Sequence, residues 1–357
     1  MSSGTTLFAA TLLATGTSLL VAPVCFAQSS VSSPVGVHKI TINPTGANVF
    51  AAPMQKKAAW TGAVASATAS TITATGTPGW ISSQFGPEDG YRQFLVILTK
   101  DASASPGNAG DYWLISANTA GVLTVDASPI APNVSLAAGD TIEVRPLVSV
   151  ADIFGLGAAT VLNPNTTGAP DPATDDIINR IAGTGFSEDI IYFTDGGASD
   201  GYYSLATGVG PVDGSTITFR PDEPLSLNRR GTPVTLASVG NVQTTPLSHF
   251  LGFGKTAVGI GFPVDAKVGV SKLLESGWTS NLTGVVDESD TDILRPVDGS
   301  SFADDYFHFA GGSAAENGWY SSALGGPDAN LPLSPTVGYV AFVLNPSGLI
   351  WRQPPPF

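Results

Sequence analysis

Apolar and polar residues alternate in short stretches along most of the chain, and this spacing of two predicts β-strands with one buried face. The stretch over residues 35–42 is an example, and its expected buried face holds Val35, Val37, Ile40 and Ile42. Between residues 60 and 147, about five or six strands follow at spacings of roughly 10–25 residues. That is the size of one small β-barrel.

One segment is typical of a helix instead. Residues 148–162 are the best helix candidate, and the helix is expected to begin near Ser149, a residue type that caps helices. We interpret this short helix as the junction between the barrel module and the second half of the chain.

The second half of the chain contains an internal repeat. Residues 176–193 realign at a constant spacing with residues 292–309, and after a gap of one residue GYYS at 201–204 matches GWYS at 318–321. A looser similarity links residues 49–59 with 258–268. Two repeat units are therefore expected, and a third is an open alternative.

These patterns predict an all-β protein divided into four segments. Residues 1–27 are predicted to be a signal peptide, and residues 28–147 a small N-terminal β-barrel or sandwich module. Residues 148–248 are predicted to hold the first repeat copy with the junction helix, and residues 249–357 the second copy.

The first 27 residues have the pattern of a cleaved signal peptide. They carry no charged side chain, and Cys25 and Ala27 are small residues at the positions that signal peptidase reads, so cleavage is expected before Gln28. A transmembrane anchor is one alternative, but a span needs about 20 mostly apolar residues and this stretch is interrupted. Lipoprotein processing is another, and Val24 before Cys25 argues against it. The expected destination is the periplasm, the outer surface or the medium.

Composition narrows the class of protein. Cys25 is the only cysteine, so the exported product is expected to contain no disulfide, thiolate metal site or cysteine nucleophile. Asp and Glu outnumber Lys and Arg by 29 to 15, and such an acidic surface repels the phosphates of nucleic acids. Only 12% of the residues are charged while 43% are hydrophobic, which indicates a packed core and not a disordered chain.

Several short motifs in a fixed order make the chain similar to a known family. They are PVGV at 34–37, WTGAV at 60–64, GWISSQF at 79–85, AGD at 138–140, VGNVQTT at 239–245, GYV at 338–340 and Trp351. Their order resembles an uncharacterised family of exported β-rich repeat proteins found as paralogues in verrucomicrobial bacteria. The resemblance implies export and β-architecture, and that family supplies no established activity or catalytic residue. The module at 60–147 is also similar to a small β-repeat of bacterial surface and phage-tail proteins.

Catalytic motifs are absent from the sequence. The three histidines, His38, His249 and His308, have no second histidine nearby, whereas a zinc site needs several ligands that converge. The chain has no Gly-x-Ser-x-Gly, no phosphate-binding glycine loop with Lys and no His-Glu-x-x-His. The sequence therefore predicts a protein that is not an enzyme.

Two acidic clusters precede the repeated strands and are candidate calcium ligands. They contain Asp171, Asp175 and Asp176 in the first copy, and Asp287, Glu288, Asp290 and Asp292 in the second. Carboxylates on an extended loop can bind Ca²⁺, although neither cluster matches the EF-hand loop. The alternative is that these residues shape turns, because an Asp side chain bonds the backbone two residues further on.

Aromatic residues in the repeat are candidate ligand contacts. Exposed rings could stack on sugars, and the candidates are Tyr202, Tyr203, Trp319 and Tyr320, with Trp278 and Trp351 as further rings. Aromatic residues of strands more often fill a core or cover a sheet. Three sequons, at Asn133, Asn165 and Asn281, are of the kind expected by chance and are assigned no role.

The leading expectation is an exported, non-catalytic structural or surface protein of the adhesion type. Its possible partners are a second copy, envelope components or glycans, with no nucleic acid and no cofactor other than calcium. A carbohydrate-binding protein that uses the aromatic residues is the first alternative. An extracellular hydrolase is the second, and it would need a cleft with convergent carboxylates or a histidine beside a nucleophile.

Overall fold

The computed structural model describes residues 34–357 apart from 45–46, 103–106, 129, 131–133, 135, 156–159, 168–170, 172, 183–184, 209, 213, 300 and 325. The predicted signal peptide, Cys25 and the sequon asparagine Asn133 lie outside the described residues. The fold is nearly all β, as the sequence predicts.

The elements follow the chain in four groups. Two strands come first, β1 (Val35–Ile42) and β2 (Ala47–Phe50). The next six are β3 (Trp60–Ala67), β4 (Thr71–Ala74), β5 (Phe94–Lys100), β6 (Tyr112–Asn118), β7 (Val122–Val125) and β8 (Thr141–Pro146). The third group is β9 (Val148–Ser149), α1 (Val150–Phe154), β10 (Ile177–Ala182), β11 (Gly185–Phe193), β12 (Gly201–Ser204), β13 (Thr218–Phe219), β14 (Leu225–Asn228) and β15 (Val234–Asn241). The last is β16 (Leu247–Leu251), β17 (Gly254–Val258), β18 (Ala266–Lys267), β19 (Ile293–Asp298), β20 (Ser301–Phe302), β21 (Tyr306–Phe309), β22 (Gly318–Ser321), β23 (Pro332–Leu333), β24 (Tyr339–Val343) and β25 (Leu349–Gln353), with 3₁₀ turns at Val268–Val270 and Leu274–Ser276.

The barrel predicted between residues 60 and 147 is confirmed. Its strands close in the order β3-β4-β7-β6-β5-β8. Alternate residues of these strands point inward, so Val64, Ile72, Val96, Trp113 and Ile142 fill the interior and are almost fully buried. The barrel is therefore a packed core and not a channel.

Two further cores lie outside the barrel. In the first, the sheet β12-β11-β10-β14-β2 and the two-stranded ribbon β1–β15 enclose one cluster that includes Ile42, Ile178, Tyr202, Leu227 and Leu236. We call this assembly the first sandwich. In the second sandwich, the sheet β22-β21-β19-β24-β17 and the ribbon β16–β25 enclose a cluster that includes Leu251, Leu294, Trp319, Ala341 and Trp351.

The two sandwiches have the same order of strands. The first sandwich begins with ribbon strand β1 and edge strand β2, and it ends with sheet strand β14 and ribbon strand β15. The second has β16, β17, β24 and β25 in the same places. Phe50 pairs with Leu225 in the first sandwich just as Val258 pairs with Tyr339 in the second. The similar residues 49–59 and 258–268 thus begin at the end of the first sheet strand of each sandwich, so they belong to the two sandwiches and not to a third unit.

The barrel is inserted between strands of the first sandwich. β1 and β2 precede the barrel in sequence, but they pair with β15 and β14, more than 170 residues later. Residues 35–50 therefore lie outside the barrel, although the sequence division grouped them with it as residues 28–147. Hydrogen bonds between strands distant in sequence decide this placement, and local patterns carry no information about them.

The junction helix is shorter than predicted. Ser149 is its N-cap and forms a capping box with Asp152, as the sequence indicates. The helix ends at Phe154, because Gly155 follows with a φ of 89°. Residues 148–149 belong to strand β9, so the prediction of a helix over 148–162 is wrong in extent.

The expected buried face of β1 is partly wrong. Ile40 and Ile42 are buried, whereas Val35 and Val37 are 68% and 58% exposed. Odd and even positions of a strand point to opposite faces, so these four residues cannot share one face. The outer face of the β1–β15 ribbon carries the two valines.

The sandwiches contact each other through corresponding segments. The amide of Gly338 donates to the carbonyl of Val49 at 2.8 Å, and the amide of Gly259 donates to the carbonyl of Asp222 at 3.2 Å. Each contact joins the end of the first sheet strand of one sandwich to the loop before β14 or β24 of the other. The contact is therefore approximately reciprocal, as in a two-fold symmetric dimer.

Candidate functional site

The cleft between the barrel and the sandwiches contains a group of charged side chains that bind one another. It consists of two pockets of about 340 and 280 Å³, which share Leu114, Ile181 and Arg220. We call this pair the barrel cleft, and its polar lining residues are Tyr91, Arg92, Tyr112, Asp126, Ser128, Arg180, Ser187, Thr218, Arg220, Asp222, Glu223 and Thr256.

Arg180 on β10 is the centre of this group. Its guanidinium lies 2.6 Å from the carboxylate of Glu188 and 3.1 Å from that of Glu223. The ring of Phe219 lies 4.7 Å from the guanidinium carbon on one side, and that of Tyr91 lies 5.5 Å away. These two carboxylates and two rings hold the half-buried arginine in position.

The barrel contributes Tyr91 to this network. The Tyr91 hydroxyl donates to Glu188, which also accepts from the hydroxyl of Ser204. Burial and the bond to Glu188 raise the pKa of Tyr91. Nearby, Gln93 donates from Nε2 to the carbonyl of Thr216 at 2.9 Å. These bonds attach one end of the barrel to the first sandwich.

The other part of the cleft is organised around Asp222. The Tyr112 hydroxyl of the barrel donates to Asp222. Burial, and to a smaller extent the negative charge of Asp222, raises the pKa of Tyr112 well above its usual range. Arg220 lies 3.7 Å from Asp222, whose charge raises the arginine's pKa further. Arg92 binds Asp126 through both of its oxygens, at 2.6 and 3.1 Å.

The arrangement of these charged groups suits attachment of the barrel to the sandwiches and not proton transfer to a substrate. Each carboxylate named in the cleft faces an arginine, and both phenols have pKa values above their usual range. General acid–base catalysis needs a group whose pKa is near the working pH and which is free to contact a substrate. The cleft groups named above instead bind one another.

A wider groove of about 990 Å³ lies between the barrel and the second sandwich. Its walls are mainly apolar, with Phe250 and Ile350, and Lys272, Glu275 and Arg352 supply its charged groups. Arg352 is bound to Asp111 of the barrel at 2.9 Å. Among its described lining residues Glu275 is the single carboxylate, so the pair that a hydrolase would need is not found there.

The four candidate aromatic residues divide into two kinds. Tyr202 and Trp319 are buried in the cores of the first and second sandwich. Tyr203 and Tyr320 are half-buried on the opposite faces of the same strands. Their hydroxyls donate to the carbonyls of Ser199 and Glu316. The structure therefore separates each predicted pair into a core residue and a surface residue.

The half-buried tyrosines have matching neighbours. Tyr203 packs edge-on against Phe193 with ring centroids 5.9 Å apart, and Tyr320 packs edge-on against Phe309 at 6.0 Å. Each sandwich thus presents a tyrosine beside a phenylalanine on the same part of its sheet, and in the second sandwich Tyr320 also stacks on the buried Phe307 at 5.6 Å. Trp278 and Trp351 are buried and belong to the second core.

In the first acidic cluster the carboxylates bind the chain's own backbone and side chains. Asp171 accepts from the amide of Ala173 at 2.8 Å, the bond typical of an Asp turn. Asp175 is buried and accepts from the side chain of Asn165 at 2.5 Å and from the amide of Asp171 at 2.7 Å. Burial raises the pKa of Asp175, but these hydrogen bonds outweigh burial and hold it below its usual value.

The second acidic cluster repeats the Asp turn of the first. Asp287 accepts from the amide of Ser289 at 2.8 Å, which lowers its pKa. Asp292 is buried and accepts from the amides of Thr279 and Leu344, both at 2.7 Å, while burial raises its pKa. Asp290 is exposed. No group of three or more His, Cys, Asp or Glu in the described part of the chain could hold a metal ion.

The histidines have structural contacts. His249 is buried, stacks on Trp351 at 4.8 Å and pairs with Gln353 at 3.1 Å. His308 lies opposite Trp319 on the neighbouring strand and bonds Ser280 at 2.8 Å. Burial lowers the pKa of both, and of His38 on β1. None lies in the barrel cleft as defined above.

Two residues that sequence reasoning set aside have a clear role. Asn165 and Asn281 are buried at matching positions, where each makes an isolated parallel bridge to a phenylalanine, Phe193 or Phe309. The Asn281 side chain accepts from the amide of Gly284 at 2.7 Å and donates to the carbonyl of Val285. Their identical spacing from the repeated strands is the signal that could have identified them.

Comparisons with known proteins add no further assignment, because no family model, no curated protein and no solved structure matches the chain. In the described part of the chain, no helix is both long and apolar enough to cross a membrane.

Proposed function

We propose that this chain is an exported, non-catalytic structural or surface protein, built from two copies of one sandwich unit with a barrel inserted in the first. The observation that carries the proposal is that side chains capable of catalysis or metal binding contact other groups of this chain. Asp175, Asp292, Arg180 and His249 all bind groups of the chain itself. The resemblance to exported verrucomicrobial β-proteins supports export and the β-architecture.

Export and location are tested together. We expect N-terminal sequencing of the native protein to begin at Gln28, and cell fractionation to find the protein in the envelope or on the surface. Recovery with its first 27 residues intact in the cytoplasm would contradict the proposal. Recovery from the medium with no binding to cells would agree with export but contradict the surface role.

Carbohydrate binding is a second candidate function, favoured by the two matching aromatic surfaces. Tyr203 with Phe193 and Tyr320 with Phe309 present rings that a neutral sugar could contact through its apolar face. An acidic chain favours neutral over anionic glycans. The test is a glycan array read with the native chain, Tyr203→Ala, Tyr320→Ala and the double variant.

The expected result is binding that weakens in each single variant and is lost in the double variant. Asn330→Ala, an exposed change that belongs to neither aromatic pair, is the matched control. No binding by the native chain, or binding that the double variant retains, would contradict this candidate. Trp319→Ala is not a suitable probe, because Trp319 lies in the core and its loss would disturb folding.

A further inference from the structure

The outer edge of strand β1 is an open backbone edge. β1 pairs with β15 over eight consecutive residues without a bulge, so its other edge presents the remaining amides and carbonyls. In the described part of the chain, residues 35–42 make no backbone hydrogen bond at that edge. An unpaired edge of this length is a template for another strand.

The matching strand of the second sandwich has its edge covered. β16 occupies the same place as β1, and the amide of Ser248 donates to the carbonyl of Gly110 in the barrel at 3.1 Å. The Ser248 hydroxyl and Arg352 of the neighbouring strand both bind Asp111. A segment of this chain therefore covers one ribbon edge, while no backbone hydrogen bond from the described residues covers the other.

The β1 strand has little of the usual protection of an edge, since Lys39 is the single protective feature among its residues. It contains no proline, no bulge and no carboxylate, and Lys39 is its one outward charge. Val37 is exposed and lies directly opposite Val239, which is 68% exposed. Val35 lies on the same outer face. The three valines thus form an apolar patch at one end of this face, in a chain whose net charge is −14.

We propose that β1 pairs antiparallel with β1 of a second copy of this chain, which joins two ribbons into one four-stranded sheet. The inference rests on the proposed structural role and names the partner through which that role is performed. A two-fold axis at Val37 makes the surface self-complementary, because Val37 of the two copies then face each other with Val239 on either side. In this register Lys39 faces Val35 of the other copy and not a second lysine.

The first test is the mass of the full chain in solution, measured by sedimentation over a range of concentrations. We expect a dimer, and we expect Val37→Lys to raise its dissociation constant about tenfold or more, since two lysines would meet at the axis. Thr41→Lys adds the same charge on the same exposed face, four residues away, and is expected to leave dimerisation unchanged. Far-UV circular dichroism checks that both variants fold.

The second test is a crosslink. In a Cys25→Ser background the chain has no other thiol, so Val37→Cys introduces a single one. Directly opposite residues of an antiparallel pair lie about 4.5–5.5 Å apart, within the range that a disulfide spans. We expect Val37→Cys to form a disulfide-linked dimer under mild oxidation, and Thr41→Cys to remain uncrosslinked.

Several results would overturn the inference. The inference is wrong if the native chain is monomeric at every concentration. It is also wrong if Val37→Lys leaves the dimer intact, or if Val37→Cys and Thr41→Cys crosslink equally. Pairing of β1 with a strand of a different protein would also overturn it, since the proposal commits to a second copy. A monomer found in the envelope would contradict the β1 pairing but not the proposed function. A dimer that never reaches the envelope would contradict the proposed function but not the β1 pairing.

Discussion

Ala51 and Gly259 occupy matching positions in the two sandwiches and lie against each other where the sandwiches meet. Ala51 follows the first sheet strand of its sandwich, as Gly259 does in the other. A Cβ built on Gly259 would lie 2.7 Å from the Cβ of Ala51, closer than two carbon atoms can approach. The contact therefore accommodates one methyl group and not two.

This contact predicts the effect of a single methyl group. We expect Gly259→Ala to lower the free energy of unfolding by about 1–3 kcal/mol, the usual cost of overpacking. Adding Ala51→Gly to the same chain should recover most of that loss, because it vacates the space. Urea denaturation measures both. Gly121→Ala, where an added Cβ meets nothing within 4 Å, is the control and should be nearly neutral.

The ion-pair network of the barrel cleft predicts a larger effect. Arg180→Met would leave Glu188 and Glu223 buried without their arginine, so we expect a loss of about 3–5 kcal/mol in the free energy of unfolding. Lys272→Met breaks an exposed pair with Glu275 and should cost about 0–1 kcal/mol. Equal effects of the two changes in denaturation experiments would show that the network does not hold the barrel.

Local patterns predicted the strands, while pairing across the chain determined the rest. Alternation identified the barrel between residues 60 and 147, and the constant spacing of the repeat identified strands such as β10 and β19. Two placements depended on contacts that no local pattern records: β1 lies beside β15, and Arg180 faces Glu223. The prediction that both aromatic residues of each pair contact a ligand was wrong for a related reason. Neighbouring residues of a strand point to opposite faces, so only Tyr203 and Tyr320 face outward.

Buried histidine makes the fold sensitive to mild acid. Burial lowers the pKa of His249, so the folded protein keeps this ring neutral at pH values where the unfolded chain, with a pKa of about 6.5, binds a proton. The unfolded state then binds more protons, and the free energy of unfolding falls as the pH drops below about 6.5. His38 and His308 act in the same direction.

The measurement is the thermal midpoint between about pH 7.5 and 5.5, a window above the usual range of carboxylates. We expect the native chain to lose stability toward pH 5.5, and His249→Phe, which keeps a ring against Trp351, to lose less over the same window. An unchanged pH dependence in this variant would assign the acid sensitivity to other groups.

Asn281 and Asn165 test whether the sequons are structural. Asn281→Ala removes the acceptor of two amides, Thr283 and Gly284, and the donor to Val285, so we expect a loss of about 1–3 kcal/mol in the free energy of unfolding. The exposed Asn330→Ala should change it by less than about 0.5 kcal/mol. Since both asparagines are buried, the folded chain offers neither side chain to a glycosyltransferase. Mass spectrometry after expression in a host that modifies such sites is therefore expected to find both unmodified, and a glycan on either would mean that its loop opens or is modified before it folds.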